Sequence, residues 1–204
     1  MKLKKVDAVN LILRAASLNE VSEIENTFDD AAIALRTLEQ SSRDVQSKSW
    51  FFNTERNWKL APNIRGQISI PLNARSVISA GSDYSIKNLV IRSNKIYDMN
   101  NHTYDLSQYV DKDGFINFTF LMELDFDDLP PIAQNYIVYK ARRQFVQDFN
   151  PDPNTIKILY QEEMTALGRL ETENIRNNKN NMLYDNKYLS GLVARIGGDN
   201  TYFI

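Results

Sequence analysis

The spacing of apolar residues changes period twice along the chain, and that change restricts the fold more than any other feature of the sequence. From about residue 6 to 48 the apolar positions recur at three- and four-residue steps, as one face of a helix requires. Val6, Val9, Leu13 and Ala16 mark a first helix, and residues 17–26 form a polar break. Thr27 reads as an N-cap with Asp30 three residues on, and Ala31, Ala34, Leu35, Leu38 and Val45 continue a second helical face. The Ser41-Ser42 pair is expected to weaken the middle of that helix.

Between residues 49 and 128 the period drops to two. Trp50–Phe52 and Trp58–Leu60 flank Glu55-Arg56-Asn57, which reads as a hairpin turn. Gln67–Ile70 alternates and stops at Pro71. Ser76–Ser79, Leu89–Ile91 and Ile96-Tyr97 read as short strands, with turns at Asn94-Lys95 and Asn100-Asn101. Phe115–Met122 is the strongest strand signal and places Phe118 and Phe120 on one face. The connections are too short for crossover helices, so antiparallel pairing is expected.

The helical period returns at 129–177. Leu129-Pro130-Pro131 puts a proline in the first turn. Ile132, Tyr136, Ile137, Ala141, Phe145, Val146 and Phe149 cover more than half of the helix, which predicts a central position or two packing partners. Asn150–Pro153 breaks the pattern, and a last helix carries Ile156, Leu159, Tyr160, Met164, Leu167 and Leu170 as its stripe. The expected class is therefore α+β. Helices from residues 1–48 and 129–177 form an antiparallel bundle, residues 49–128 form an inserted antiparallel β lobe, and residues 178–204 form an extended C-terminal arm. The arm begins in an Asn-rich stretch and then carries Tyr184, Tyr188, Leu189, Leu192, Tyr202 and Phe203 without a stable period. Disordered tails lack such residues. The segment therefore reads either as a short helix on its own bundle or as an arm that orders against another protein.

Composition excludes several chemistries. The 204 residues include no cysteine and one histidine, so disulfides, thiolate catalysis and Cys- or His-rich metal sites are ruled out. The formal net charge of −2 lacks the basic footprint of a protein that clamps duplex DNA. No apolar window approaches a membrane span, and no signal peptide is expected after Met1-Lys2-Leu3-Lys4-Lys5.

The remaining candidates each have two readings. His102, among turn residues, is a lone general base or simply exposed. Asp125, Asp127 and Asp128 are calcium ligands, an acid/base pair, or acids favouring the positive end of the following helix. Lys140, Arg142 and Arg143 touch a nucleic-acid backbone or form salt bridges to Glu on an adjacent helix or subunit. Glu162 and Glu163 are neighbours on a helix, so their side chains diverge, which suits a solvated face better than a glycosidase pair. No catalytic residue, cofactor or metal site is expected.

The segment Leu124–Phe145 (LDFDDLPPIAQNYIVYKARRQF) resembles a signature of the tail tubular protein A family of short-tailed bacteriophages. The likeness continues through Gln161–Glu171 (QEEMTALGRLE) to the Asn181-Met182-Leu183 triplet. Upstream, Val6–Leu13, Ala31-Ala32 and Gln46–Asn53 (QSKSWFFN) look like the family's opening helices and first strand. The order of elements matches over about residues 6–190. The resemblance implies a non-enzymatic virion protein of the tail, assembled in the host cytoplasm. It implies a dodecameric adaptor ring below the portal protein, with a nozzle of the tubular protein B type beneath and a tail fibre or tailspike at the side. Genomic DNA would pass through without tight binding, and no membrane is involved. On charge alone, Asp125, Glu162, Glu163 and Glu171 are candidates for an acidic lumen that lets DNA slide. Tyr184, Tyr188, Leu189, Leu192, Tyr202, Phe203, Lys140, Arg142 and Arg143 are candidates for contacts with the portal or a neighbouring subunit. The alternatives are a tail-associated hydrolase of host envelope glycans, which needs two carboxylates facing one pocket, and another head-completion connector.

Overall fold

The computed structural model describes residues 2–24, 30–81, 86–149 and 151–185, with side chains described through residue 178. The Thr27 cap and the apolar residues expected in the arm, from Tyr184 to Phe203, lie outside what is described, apart from the helical backbone at Tyr184. Four helices, α1 (Lys5–Ala15), α2 (Asp30–Gln46), α3 (Pro131–Phe149) and α4 (Pro153–Asp185), bracket five strands, β1 (Thr54–Leu60), β2 (Ala74–Ala80), β3 (Leu89–Arg92), β4 (Lys95–Asp98) and β5 (Ile116–Met122). The α+β class holds, and every strand pair is antiparallel.

The helices share one apolar cluster. Val9, Ile12 and Leu13 of α1, Ala34, Leu38 and Val45 of α2, and Ala133, Ile137, Ala141 and Phe145 of α3 meet in it, and Ala166 and Leu170 of α4 join from the far side of α3. Helix α3 packs on α1, α2 and α4, which explains its broad apolar surface. Helix α2 is continuous through Ser41 and Ser42, contrary to expectation. Both serines face inward, and their hydroxyls find partners in the core instead of competing with the backbone. Ser41 Oγ donates to Gln144 Oε1 at 2.6 Å, and Ser42 Oγ accepts from Gln46 Nε2 at 3.0 Å.

The stripe of α4 also differs from the sequence expectation. Its buried line is Leu159, Glu163, Ala166 and Leu170, while Tyr160 and Met164 are exposed. Hydrophobicity alone misplaced the face by part of a turn, because an ion-paired glutamate occupies a core position. The helix also runs to Asp185, eight residues past the expected boundary at 177.

A second apolar cluster fills the β region, built from Ile68, Leu89, Ile96, Leu106, Ile116, Phe118 and Phe120. The three-stranded sheet has the order β1-β5-β2, so the strongest strand of the sequence is the central one. Phe118 and Phe120 are both fully buried, with their rings stacked 5.5 Å apart. The turn expected at residues 55–57 is instead a bulge inside one strand. The register slips between Glu55 and Trp58, and Asn57 takes up the irregularity at φ 61°. Strands β3 and β4 make a two-residue hairpin through Ser93 and Asn94, both at positive φ, the conformation that matches strand twist. Gln67–Ile70 contributes only an isolated bridge, Ser69 to Lys95, along this hairpin. Gly66, at φ 73°, is dictated by a neighbour: a Cβ there would lie 1.8 Å from Asp105 Oδ1.

The two regions meet in a polar knot. Gln46, at the end of α2, is buried. Its Nε2 donates to the Leu124 carbonyl at 2.9 Å and its Oε1 accepts from Leu124 N at 2.8 Å. Asn53 is also buried. Its Oδ1 accepts from Trp50 N, its Nδ2 donates to the Gln46 and Lys48 carbonyls, and its own carbonyl accepts from Met122 N at 2.8 Å. Leu124 packs against both apolar clusters.

Two outcomes follow from these polar centres. Replacing Gln46 by Ala strands the Leu124 amide and carbonyl, and is expected to lower unfolding free energy by about 1–3 kcal/mol in urea titration. The Asp98 carboxylate is fully buried and accepts from Asn100 N, Asn101 N, Asn101 Nδ2 and Tyr109 Oη at 2.7–3.2 Å. Burial favours its neutral form, but these donors outweigh burial and hold its pKa below the ordinary 3.8. Its contribution is therefore complete above pH 3.8 and is lost as pH falls through the lower folded value. Asp98→Asn should be less stable than the parent at neutral pH, and acid unfolding curves should show the gap closing below pH 3.8.

Candidate assembly surfaces

The Arg-rich face of α3 is turned toward α4. The two helices form an antiparallel hairpin joined by residues 150–152, and two ion pairs cross between them. Arg142 Nη1 lies 2.9 Å from Glu162 Oε2, and Arg143 Nε bonds Glu163 Oε2. Lys140 Nζ reaches Asp44 Oδ2 of α2 at 3.3 Å. The basic triplet is thus engaged within its own chain, which is the salt-bridge reading of the sequence. Arg142 also lies over the Tyr139 ring, 5.4 Å from its centroid.

Of the four acidic candidates, Glu163 is the one that burial removes from the surface: it is 4% exposed and neutralised by Arg143. The hydrogen bond from Arg143 to Glu163 raises the arginine's pKa further, outweighing its partial burial. Burial raises the Tyr136 phenol, with the charges of Glu163 and Glu171 adding to it. Glu162 is half-buried in its pair with Arg142. Asp125 and Glu171 are exposed and, among the described residues, make no ion pair.

Asp127 and Asp128 form a 3-10 turn with Phe126, in which Asp128 N donates to the Asp125 carbonyl. None of the three carboxylates bonds an N–H of α3, whose first turn contains no acid, so direct capping does not occur. The start of α3 is secured by Gln134, fully buried, whose Nε2 donates to the carbonyls of Leu3 and Phe126 and whose Oε1 accepts from Leu3 N. Among the described residues, no group of three or more His, Asp or Glu is placed to hold a metal ion. His102 sits exposed in a turn at φ 53°. Sequence reasoning missed Gln46, Asn53 and Gln134. For the first and last, the available signal was a polar residue falling on the apolar face of a helix.

Helix α4 is the longest of the described elements. At 1.5 Å per residue its 33 residues span about 50 Å, against about 28 Å for the 19 of α3. The Arg142–Glu162 and Arg143–Glu163 pairs set the register, so α4 beyond about residue 174 runs past the first turn of α3. Asn174 Oδ1 accepts from Phe51 N at 2.8 Å at that point, and Ile175 beyond it is exposed. A cleft of about 400 Å³ opens where α2 meets the β region. It is lined by charged residues of both signs, including Lys5, Glu39, Arg43, Arg75 and Glu123. Arg75 closes one side through its 2.9 Å pair with Glu123. No described helix is long and apolar enough to cross a membrane.

The described chain is thus a helical layer with a β region held to it by hydrogen bonds, among whose described residues no metal-binding cluster is present. Residues 6–180 match the tail tubular protein family, and the chain belongs to that family. It is accordingly a structural component of the bacteriophage tail and part of the virion. It is similar to the tail tubular protein A of Klebsiella phage KP34, 28% identical over 153 residues that cover 74% of this chain and 77% of the relative.

The seam between α3 and α4 is directly testable. Glu163→Ala leaves the Arg143 guanidinium without its partner and should cost about 2–4 kcal/mol by denaturant unfolding. A Glu163→Leu/Arg143→Met double variant, which leaves no charge stranded, should recover most of that loss.

Proposed function

We propose that the chain forms the adaptor ring between the portal and the tail nozzle of a short-tailed phage, a conduit for DNA ejection and an attachment point for other tail components. Membership of the tail tubular family over residues 6–180 carries this reading. In it, the helices from both chain ends form an antiparallel bundle that is the body of a dodecameric collar. Residues 49–128 are an inserted lobe offset from it, and residues 178–204 are an arm.

The protruding end of α4 supports the arm. Residues 186–204, with Tyr188, Leu189, Leu192, Tyr202 and Phe203, follow directly on it in the sequence. Those residues, with Tyr184, are the proposed contacts to the portal or to a neighbouring copy. Each copy in a closed ring presents two different complementary faces, which a helical layer with an offset β region provides. Of the proposed lumen acids, Asp125 and Glu171 suit the role best, since Glu162 and Glu163 are drawn into ion pairs. The nozzle protein, the tail fibre or tailspike and the transiting genome are the remaining partners, and the protein performs no catalysis. In the hydrolase alternative, Asp127 and Glu163 would share a pocket. Glu163 is instead held in the α3–α4 seam, and Asp127 lies in the turn before α3.

Removing residues 186–204 leaves every described element intact. The truncated subunit should fold with unchanged circular dichroism, yet fail to join portal-containing heads in complementation, giving tailless particles by negative-stain imaging. Normal tails built from the truncated chain would rule out the arm.

A further inference from the structure

The β3–β4 hairpin carries a cationic face. Over residues 86–104 the charged side chains are Lys87, Arg92, Lys95 and Asp98. Asp98 is fully buried and bonded to its own loop, so the charge this segment shows to solvent is entirely positive, in a chain of net charge −2. Val90, Arg92, Lys95 and Tyr97 share one face by strand alternation and pairing. Arg92 and Lys95 stand directly opposite each other across the ladder. Like charges in that position destabilise a hairpin.

The two cations are also held in place. The Arg92 guanidinium lies 4.2 Å from the centroid of the Tyr97 ring, Tyr104 packs edge-on against Tyr97 at 4.9 Å, and Lys95 Nζ donates to Gln67 Oε1 at 2.8 Å. An ordered pair of like charges on an aromatic base is unfavourable for the lone subunit and fits an anionic surface laid against it. The chain itself supplies such a surface. Residues 123–178 contain ten carboxylates against six Lys and Arg. Of these, Asp127 and Asp128 in the turn before α3 and Asp148 near its end are exposed, with no hydrogen bond or ion pair from their side chains among the described residues, and none of the three is among the acids proposed for the lumen; Lys157 and Arg169 are the exposed, unpaired cations of the same stretch.

We infer that the Arg92–Lys95–Tyr97 face of the hairpin docks on the acidic surface of residues 123–178 in a second copy of this chain. The inference rests on the ring reading above and supplies one of its two complementary faces. Duplex DNA is the less fitting occupant, because two oriented cations on one short hairpin are far from the broad phosphate-tracking stripe that DNA requires.

A photo-cross-linking amino acid placed at position 97 of the full chain, in assembled phage particles, tests this. Irradiation should give a dimer-sized product whose linked peptides lie within residues 123–178 of the second copy. Cross-links to DNA, to another virion protein or to the β region of the second copy would overturn the inference, as would their absence. Arg92→Glu is the companion variant. It replaces the like-charge pair by an opposite-charge one, so the subunit's Tm should be held or raised, while its incorporation into tails falls about tenfold or more. Unchanged incorporation would also overturn the inference. Particle images separate the two levels: an annulus with the hairpin linked elsewhere sinks this contact alone, and particles without an annulus of this chain sink the ring and the contact together.

Discussion

The arrangement of this molecule depends on the way Gln46 replaces a missing strand partner. Its side-chain amide donates to and accepts from the backbone of Leu124, as a neighbouring peptide unit would. That pairing satisfies two backbone groups where the chain leaves the sheet, at a half-buried point beside the cleft. Asn53 performs the complementary task where the chain enters the sheet, closing the turn after α2 and bonding Met122. The path out of the helices and the path back are therefore fastened to each other. Leu124 then packs into both apolar clusters, so polar satisfaction and apolar burial secure the same junction.

The helical layer shows a related economy of charge. Helix α3 is covered on most of its circumference, which leaves little room for cations on it. Arg142 and Arg143 reach the α4 side and meet Glu162 and Glu163 one pair after another. These contacts set the register of the helical hairpin, and the register fixes how far α4 protrudes. A contact in the interior thereby determines how far α4 runs past the start of α3.

Much of this was legible in the sequence because period and turn chemistry are local. The strand Phe115–Met122, the proline start of α3, the Asn150–Pro153 break and the antiparallel pairing all emerged as read. So did the inward faces of Phe118 and Phe120. The failures share a cause, which is that a polar residue was read by its solubility and not by its possible partners. Ser41 and Ser42 read as a weak point in α2, and they are core contacts. Glu163 reads as solvent-facing, and it occupies the buried line of α4, which displaces the expected stripe onto Tyr160 and Met164. Asn57 reads as a turn, and it is a bulge because β5 pairs on both sides of it. Ser41 and Asn57 answer to partners about 60 to 100 residues away, and Glu163 to Arg143 across the α3–α4 hairpin. Ser42 answers to Gln46 one turn on, whose own partner is the distant Leu124.

The hydrogen bond between Met122 N and the Asn53 carbonyl has an evolutionary consequence. It brings the two ends of the strand-forming segment together, so the segment can be enlarged, trimmed or exchanged without re-threading the helices on either side. Variation can accumulate in the strand-forming segment while the helical layer keeps its geometry. Related phages facing different hosts would then be expected to diverge most between residues 54 and 122 and least along the α3–α4 seam.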